Sequence, residues 1–186
     1  NSGTLDVSTT SDQKLTGVIS GAGAFIQSGS GTTTLTAANT YTGTTQISDG
    51  QLTVTGTLSD STAVTVDSGA TYDVASTDTI GSIAGAGSVT IGNGFTLTAG
   101  GLNSNTTFSG VMSGDGGFTK AGTGTTTFSG ANTYTGATNI DAGKLTVSGS
   151  LADTTVLTVA SGATYDVAST ETVGSIEGAG SIPLGS

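Results

Sequence analysis

The side chains of this chain that could do acid–base chemistry are carboxylates. The chain has 13 acidic residues and no His or Arg, so a general base would have to be a perturbed carboxylate or lysine. Three acidic positions recur 93 residues apart in matching contexts: Asp60 and Asp153, Asp73 and Asp166, Asp78 and Glu171. A glycosidase needs two carboxylates roughly 5 to 10 Å apart in one site. One acid at the same place in each of two copies instead indicates a structural position, and we predict no catalytic residue and no enzyme.

Calcium is the metal that acidic extracellular solenoids often bind. The G-G-x-G-x-D run of calcium-binding solenoids and the EF-hand loop are both absent, and the turn "SGDGGF" from Ser113 holds a lone acid. The chain has no Cys, which removes thiolate metal sites. We predict neither a metal site nor a cofactor, with adventitious calcium at acidic corners left open.

The net charge of −10 excludes some classes of partner. Only Lys14, Lys120 and Lys144 carry positive charge. A nucleic-acid binder needs a basic face to displace counterions from phosphates, and this chain cannot assemble one. No apolar run approaches the roughly 18 residues of a membrane-spanning helix. We therefore expect no nucleic-acid partner and no membrane insertion of this segment.

The elements that position these residues come from a long repeat. Residues 17–93 laid over residues 110–186 give about 48 identities in 77 positions, and "SGATYDVAST" recurs unchanged from Ser68 and from Ser161. Self-similarity at a fixed period is typical of repeat architectures. We interpret residues 1–186 as one continuous unit made of two 93-residue repeats (1–93; 94–186).

A finer period predicts the secondary structure. Short stretches alternate apolar and polar residues, as in a strand with one face inward. The inward pairs are Leu52 and Val54, Val64 and Val66, Tyr72 and Val74, Val89 and Ile91, Phe95 and Leu97, Leu145 and Val147, Leu157 and Val159, Tyr165 and Val167. Comparable strands return every 17 to 20 residues, starting at Thr32, Gln51, Thr71, Ser88, Thr106 and Thr125. Five such steps fill one repeat, so the fold class is an all-β, single-stranded β-solenoid of about ten coils.

A turn motif appears once in each repeat, as "ANTYTG". Asn39 can hydrogen-bond its own backbone at a turn, Gly43 can adopt a positive φ, and the ring of Tyr41 can cover the corner. The counterparts in the second repeat are Asn132, Tyr134 and Gly136. We predict structural roles for all six residues.

The stretch from Ser113 to Val147 resembles a known family, the autotransporter-associated β-strand repeat, also called the passenger-associated transport repeat, of bacterial type V secretion passengers. The residues that carry the resemblance are Gly116, Gly117, Lys120, Gly122, Gly124, Asn132 to Gly136, Ile140, Gly143 and Leu145. The first copy departs from the pattern, with Gln27 at the place of Lys120 and Ala37 at that of Gly130. The resemblance implies a right-handed β-helix in a large secreted or cell-surface adhesin.

The function we expect is that of a stalk or adhesive segment of an extracellular bacterial fibre that associates end to end. The alternative is a ligand-binding surface, for a glycan, a host-surface receptor or ice, formed by threonines in stretches such as "GTTTLT" and "GTTTF". Outward threonine is also an ordinary strand residue. Self-association is the expected partnership.

Overall fold

The regular elements of the protein are β-strands, as the alternation predicts. A computed structural model describes residues 3–184. Most strands show alternating buried and half-exposed residues, because successive side chains of a strand point to opposite faces. In chain order the strands are β1 (Thr4–Val7), β2 (Gln13–Leu15), β3 (Ala24–Gln27), β4 (Thr32–Leu35), β5 (Thr45–Ile47), β6 (Gln51–Val54), β7 (Ala63–Val66), β8 (Thr71–Val74), β9 (Asp78–Ile80), β10 (Ser82–Gly85), β11 (Ser88–Ile91), β12 (Thr96–Ala99), β13 (Thr106–Phe108), β14 (Val111–Ser113), β15 (Gly117–Lys120), β16 (Thr125–Phe128), β17 (Thr138–Ile140), β18 (Lys144–Val147), β19 (Val156–Val159), β20 (Thr164–Val167) and β21 (Ser175–Gly178).

These strands form three parallel sheets, which the chain visits in a fixed order as it winds around one axis. Within residues 3–184 the first sheet has the strand order β1-β3-β5-β7-β10-β13-β16-β18-β20. The second sheet has the order β2-β4-β6-β8-β11-β14, and the third has the order β9-β12-β15-β17-β19-β21. Parallel pairing between successive circuits of the chain is the arrangement of a β-solenoid, so the predicted fold class is confirmed. The handedness implied by the family resemblance stays a prediction.

The described part of the chain makes about nine coils, close to the ten predicted, because nine strands lie in its first sheet. Most neighbouring strands pair 19 or 20 residues apart, as Phe25 does with Thr45 and Thr45 with Val64. One coil is longer, since Gly85 pairs with Phe108. The extra length lies in a turn between β12 and β13, where Gly100 has φ 123° and Asn103 has φ 58°.

The 93-residue repeat is not a whole number of coils. β3 lies in the first sheet, but its counterpart β15 in the second repeat lies in the third sheet. β4 lies in the second sheet and its counterpart β16 in the first. Every strand of the second repeat is therefore displaced by one sheet, and the repeat holds about four and two-thirds coils instead of the predicted five.

This displacement corrects the predicted stacking of strands. The sequence spacing makes the strands at Ser88 and Thr106 successive neighbours, but Ser88 pairs with Val111 in the second sheet and Thr106 with Thr126 in the first. The step from Ser88 to Thr106 covers two sheets and the long turn, not one full coil. The step from Ser88 to Thr106 has about as many residues as a coil only because the long turn between β12 and β13 adds residues to it.

The inward side chains form one continuous apolar core from Phe25 to Tyr165. The predicted inward pairs are buried, as Tyr72 and Val74 are at 0% exposure, with two differences. Phe95 is only partly buried and lies before β12, whose inward residues are Leu97 and Ala99. Val167, in the outermost regular strand of the first sheet, is also only partly buried.

The structure has no helix long and apolar enough to cross a membrane within residues 3–184.

Paired cysteines test the displacement of the second repeat. Because Ser88 and Val111 lie directly opposite each other on neighbouring strands, we expect the variant Ser88→Cys with Val111→Cys to form an intramolecular disulfide on mild oxidation. Ser88→Cys with Thr106→Cys should stay reduced, because those positions lie in different sheets. Mass spectrometry after thiol alkylation detects a disulfide in either variant. A disulfide in the second pair would instead support the stacking predicted from the sequence, in which the strands at Ser88 and Thr106 are neighbours.

Candidate functional site

The asparagine of the turn motif joins three successive coils. The Asn39 side chain accepts a hydrogen bond from the backbone N–H of Ile19 (3.0 Å) in the coil before it. Its amide donates to the carbonyl of Thr57 (3.1 Å) in the coil after it and to Ala37 (2.9 Å) in its own coil. The predicted bond to its own turn is therefore present, and the two bonds to neighbouring coils add to it.

The second copy repeats this arrangement on another side of the rod. Asn132 accepts from the N–H of Met112 (2.9 Å) and donates to the carbonyls of Gly130 (3.1 Å) and Ser150 (3.2 Å). Asn132 lies between β16 and β17, whereas Asn39 lies between β4 and β5. The bonds are conserved between the copies because they depend on coil-to-coil spacing, which is the same in every direction around the axis.

The tyrosines of the motif, whose rings were expected to cover the corner, lie inside the core. Tyr41 is 1% exposed and Tyr134 is 0% exposed. Each hydroxyl shares a hydrogen bond of 2.6 Å with a buried threonine, Thr45 or Thr138. Burial raises the pKa of Tyr41 to about 12.

The glycine of the motif is required for a reason other than the one predicted. Neither Gly43 nor Gly136 has a positive φ. A Cβ added to Gly43 would lie 2.2 Å from the carbonyl oxygen of Gly23 in the coil below, and one added to Gly136 would lie 2.3 Å from that of Gly116. Close approach of two backbones therefore excludes any side chain at this position.

Lys120 and Gln27 are buried at matching positions of the two repeats and have the same structural role. Lys120, 0% exposed, donates from its ammonium to the carbonyls of Ala121 (2.6 Å), Gly122 (2.9 Å) and Ala142 (3.4 Å). Gln27 donates to the carbonyls of Gly29 (2.7 Å) and Gly31 (3.0 Å) at the matching corner. Burial lowers the pKa of Lys120. The replacement of lysine by glutamine therefore preserves the function of the side chain, which is to satisfy corner carbonyls.

The acidic pairs are not brought together into a catalytic site. Asp73 projects from the second sheet and accepts from Thr53 (3.1 Å), whereas Asp166 projects from the first sheet and pairs with Lys144 (2.5 Å). Its hydrogen bond with Lys144 lowers the pKa of Asp166. Asp60 and Asp153 are exposed. Among residues 3–184 no group of three or more His, Cys, Asp or Glu side chains could hold a metal ion.

Asp78, which the sequence predicts only to hold a structural position, is a buried acid. It is 2% exposed and accepts hydrogen bonds from the N–H groups of Leu58 (3.1 Å) and Thr79 (3.0 Å) and from the hydroxyl of Tyr72 (3.2 Å). Burial raises its pKa from 3.8 to about 6, although these three bonds partly offset the effect. The sequence does indicate this burial, because Asp78 alternates with the inward-facing Ile80.

The second copy of this arrangement is incomplete. Glu171 stands at the place of Asp78 and accepts from the N–H of Leu151 (2.9 Å), as Asp78 does from Leu58. Its other oxygen, the hydroxyl of Tyr165 and the hydroxyl of Thr155 are buried without a hydrogen-bond partner among the described residues. Burial raises the pKa of Glu171 as well.

The outward threonines form files along the rod. In "GTTTLT" the middle residue, Thr33, points inward and donates to Gln27 (2.6 Å), so only its neighbours face outward. On the outer face of the second sheet one file runs along register partners in five successive coils: Thr34, Thr53, Asp73, Thr90 and Ser113. Hydroxyls at the spacing of parallel strands, about 4.8 Å, can hydrogen-bond a hydroxylated ligand.

Comparison with known protein families finds a match at two segments of the chain. The passenger-associated-transport-repeat family matches residues 25–54 and 118–147, which hold β3 to β6 and β15 to β18. The predicted resemblance is confirmed at both copies. No solved structure matches the chain.

One curated relative is named as an adhesin. The chain is 39% identical over 124 residues to the adhesin BmaC autotransporter of Brucella suis biovar 1 (strain 1330). The match covers 58% of this chain and 4% of that protein, so the chain spans a small fraction of the relative's length.

Replacing the bridging asparagine tests its coil-to-coil role. Asn132→Ala removes three hydrogen bonds and leaves a buried N–H without its acceptor, so we expect a loss of about 2 to 3 kcal/mol in the free energy of unfolding. Asn93→Ala, at an exposed turn, should change it by less than about 0.5 kcal/mol. Urea denaturation followed by circular dichroism measures both, and equal effects would contradict the role.

The buried carboxyl of Asp78 predicts an unusual dependence of stability on pH. Its pKa is about 6 when folded and 3.8 when free, so the folded state binds a proton first as the pH falls. The free energy of unfolding should then rise between about pH 7 and pH 4, by up to about 3 kcal/mol.

Asp78→Asn provides the comparison for this effect. The variant cannot titrate at this position, so its stability should rise less over the same range, and the difference between the two curves isolates Asp78 from the other carboxylates. Urea denaturation at several pH values gives both curves. If the free energies of unfolding of the two proteins changed with pH in parallel, the pKa of Asp78 would not be raised in the folded state.

Proposed function

Because the chain carries two passenger-associated transport repeats in one continuous ladder of coils, we propose that it is a segment of the stalk of a bacterial adhesin passenger. Its place is the cell surface or the extracellular medium, and its task is to space and present adhesive surfaces. The adhesin named among its relatives supports this proposal. The chain performs no catalysis in this proposal.

The observation that carries the proposal is the uninterrupted parallel pairing from β1 to β20. Each coil hydrogen-bonds only to its neighbours, so the length of the rod is set by the number of coils and its stability is a sum over neighbouring pairs. Nine coils at about 4.8 Å give a rod about 43 Å long. A stalk built in this way extends without any change in cross-section, and association end to end along the same axis is part of this proposal.

A second candidate function is ligand binding by the outer face of the second sheet. The file of hydroxyls from Thr34 to Ser113 favours it, because a regular set of donors and acceptors on a rigid face suits a glycan or ice. Asp73 interrupts the file, which favours a glycan over the uniform surface of ice.

Binding measurements separate the two candidates. A stalk segment should show no saturable binding on a glycan array and no inhibition of ice recrystallisation. Small-angle scattering extrapolated to zero concentration, where end-to-end association is absent, should show a rod of the length given above. Saturable binding would instead support the second candidate, provided that Thr53→Ala with Thr90→Ala abolishes it. Thr127→Ala with Thr158→Ala, outward threonines of the other two sheets, is the matched control.

A further inference from the structure

The turn between β11 and β12 holds the one asparagine of the chain that a glycine follows, Asn93 before Gly94. The N–H of Phe95 donates to the carbonyl of Gly92 (3.1 Å), and Gly94 has φ 78°. This is the geometry of a type II β-turn, whose third residue requires a positive φ. Asn93 and Gly94 are both exposed, so the middle of the turn is open to solvent.

The backbone nitrogen of Gly94 is accessible to the side chain of Asn93. Among residues 3–184 the N–H of Gly94 donates to no backbone carbonyl, and a Cβ added to this residue would meet nothing within 4 Å. Because glycine has no side chain, nothing on Gly94 itself obstructs its nitrogen either. The carboxamide of Asn93 is exposed and makes no hydrogen bond to another described residue, so it is free to rotate towards that nitrogen.

The other described asparagines are held in place. In four of them the carboxamide oxygen accepts a backbone N–H of a neighbouring coil, at 2.7 to 3.0 Å. A serine or threonine follows each of these four in the chain, and its side chain obstructs the backbone nitrogen. The fifth lies within β17 and is followed by isoleucine. These five residues are Asn39, Asn103, Asn105, Asn132 and Asn139.

We propose that Asn93 is a site of spontaneous deamidation, and that its isoaspartate product weakens the contact of this turn with the next coil. The nitrogen of Gly94 loses its proton to hydroxide and attacks Cγ of Asn93. The new N–C bond closes a five-membered succinimide ring, while the bond from Cγ to Nδ2 breaks and ammonia leaves. Water then opens the ring at either carbonyl, which gives aspartate or isoaspartate in place of Asn93. The reaction consumes one water and releases one ammonia.

The two products differ in their effect on the rod. Isoaspartate adds a methylene to the backbone of the turn, whereas aspartate adds only a negative charge to a surface with a net charge of −10. The carbonyl of Phe95 accepts from the N–H of Gly117 (2.9 Å) in the next coil, and the Phe95 ring packs against the core. A lengthened turn displaces Phe95 and therefore disturbs both contacts.

Two other turns of the same shape provide the matched variant. In residues 67–70 and 160–163 the N–H of the fourth residue donates to the carbonyl of the first (3.0 Å in both), and the glycine at the third place has φ 93° and 84°. Ser68 and Ser161 occupy the place of Asn93. Because serine has no carboxamide, Asn93→Ser keeps a turn that the chain already uses and removes the reacting carbon.

Mass spectrometry of the folded protein tests the reaction. After incubation in mildly alkaline buffer at physiological temperature, peptide mapping should show conversion of Asn93 at least about tenfold faster than that of Asn39 or Asn132, because their three hydrogen bonds must break first. Asn93→Ser should release correspondingly less ammonia, and circular dichroism establishes that it is folded. Equal rates at the three asparagines, or no conversion of Asn93, would overturn the proposal.

Urea denaturation of the separated products tests the effect on the rod. Ion exchange separates the reacted chains from the unreacted protein, and fragmentation in the mass spectrometer distinguishes isoaspartate from aspartate. The isoaspartate form should unfold at a lower urea concentration than the unreacted protein. Asn93→Asp, which carries the charge on an unchanged backbone, should unfold at the same concentration as the unreacted protein. An isoaspartate form as stable as Asn93→Asp would overturn the proposed weakening of the contact with the next coil.

Discussion

The structure depends on parallel backbone hydrogen bonding between successive coils. Every strand lies about 4.8 Å from its neighbours, so each inward side chain stacks on the one below it. This spacing is too short for a Cβ at positions such as Gly43, where the backbones of two coils come closest. It is also the distance that one asparagine side chain bridges in both directions, as Asn39 does between Ile19 and Thr57. The composition, rich in glycine and threonine, follows from this single constraint.

The interior of the rod is not purely apolar, and its polar groups serve the corners. Lys120 and Gln27 satisfy carbonyls where the chain turns, and Asp78 satisfies the N–H of Leu58. A buried ammonium is costly unless its hydrogen bonds are made, and here three carbonyls accept from it. Chemically different side chains replace one another between the repeats because the corner requires a donor of sufficient length and no particular charge.

The mismatch between repeat and coil decides how equivalent surface residues are placed around the rod. Because each repeat of 93 residues ends two-thirds of the way around the rod, equivalent surface residues of successive repeats face different directions. Asp73 and Asp166 show this, since one projects from the second sheet and the other from the first. The rod therefore presents the same chemical groups in several directions around its circumference.

The β-class, the solenoid, most inward residues and the two transport repeats can be predicted from the sequence, because alternation and turn chemistry act over a few residues. The sequence did not determine which sheet each strand joins. That depends on the summed length of all preceding turns, and one long turn between Gly100 and Asn105 made two sheets resemble a full coil. Nor did the sequence show that Tyr41 points inward or that Thr33 bonds Gln27. Those contacts join side chains brought together by the closure of a coil, so the tertiary structure alone decided them.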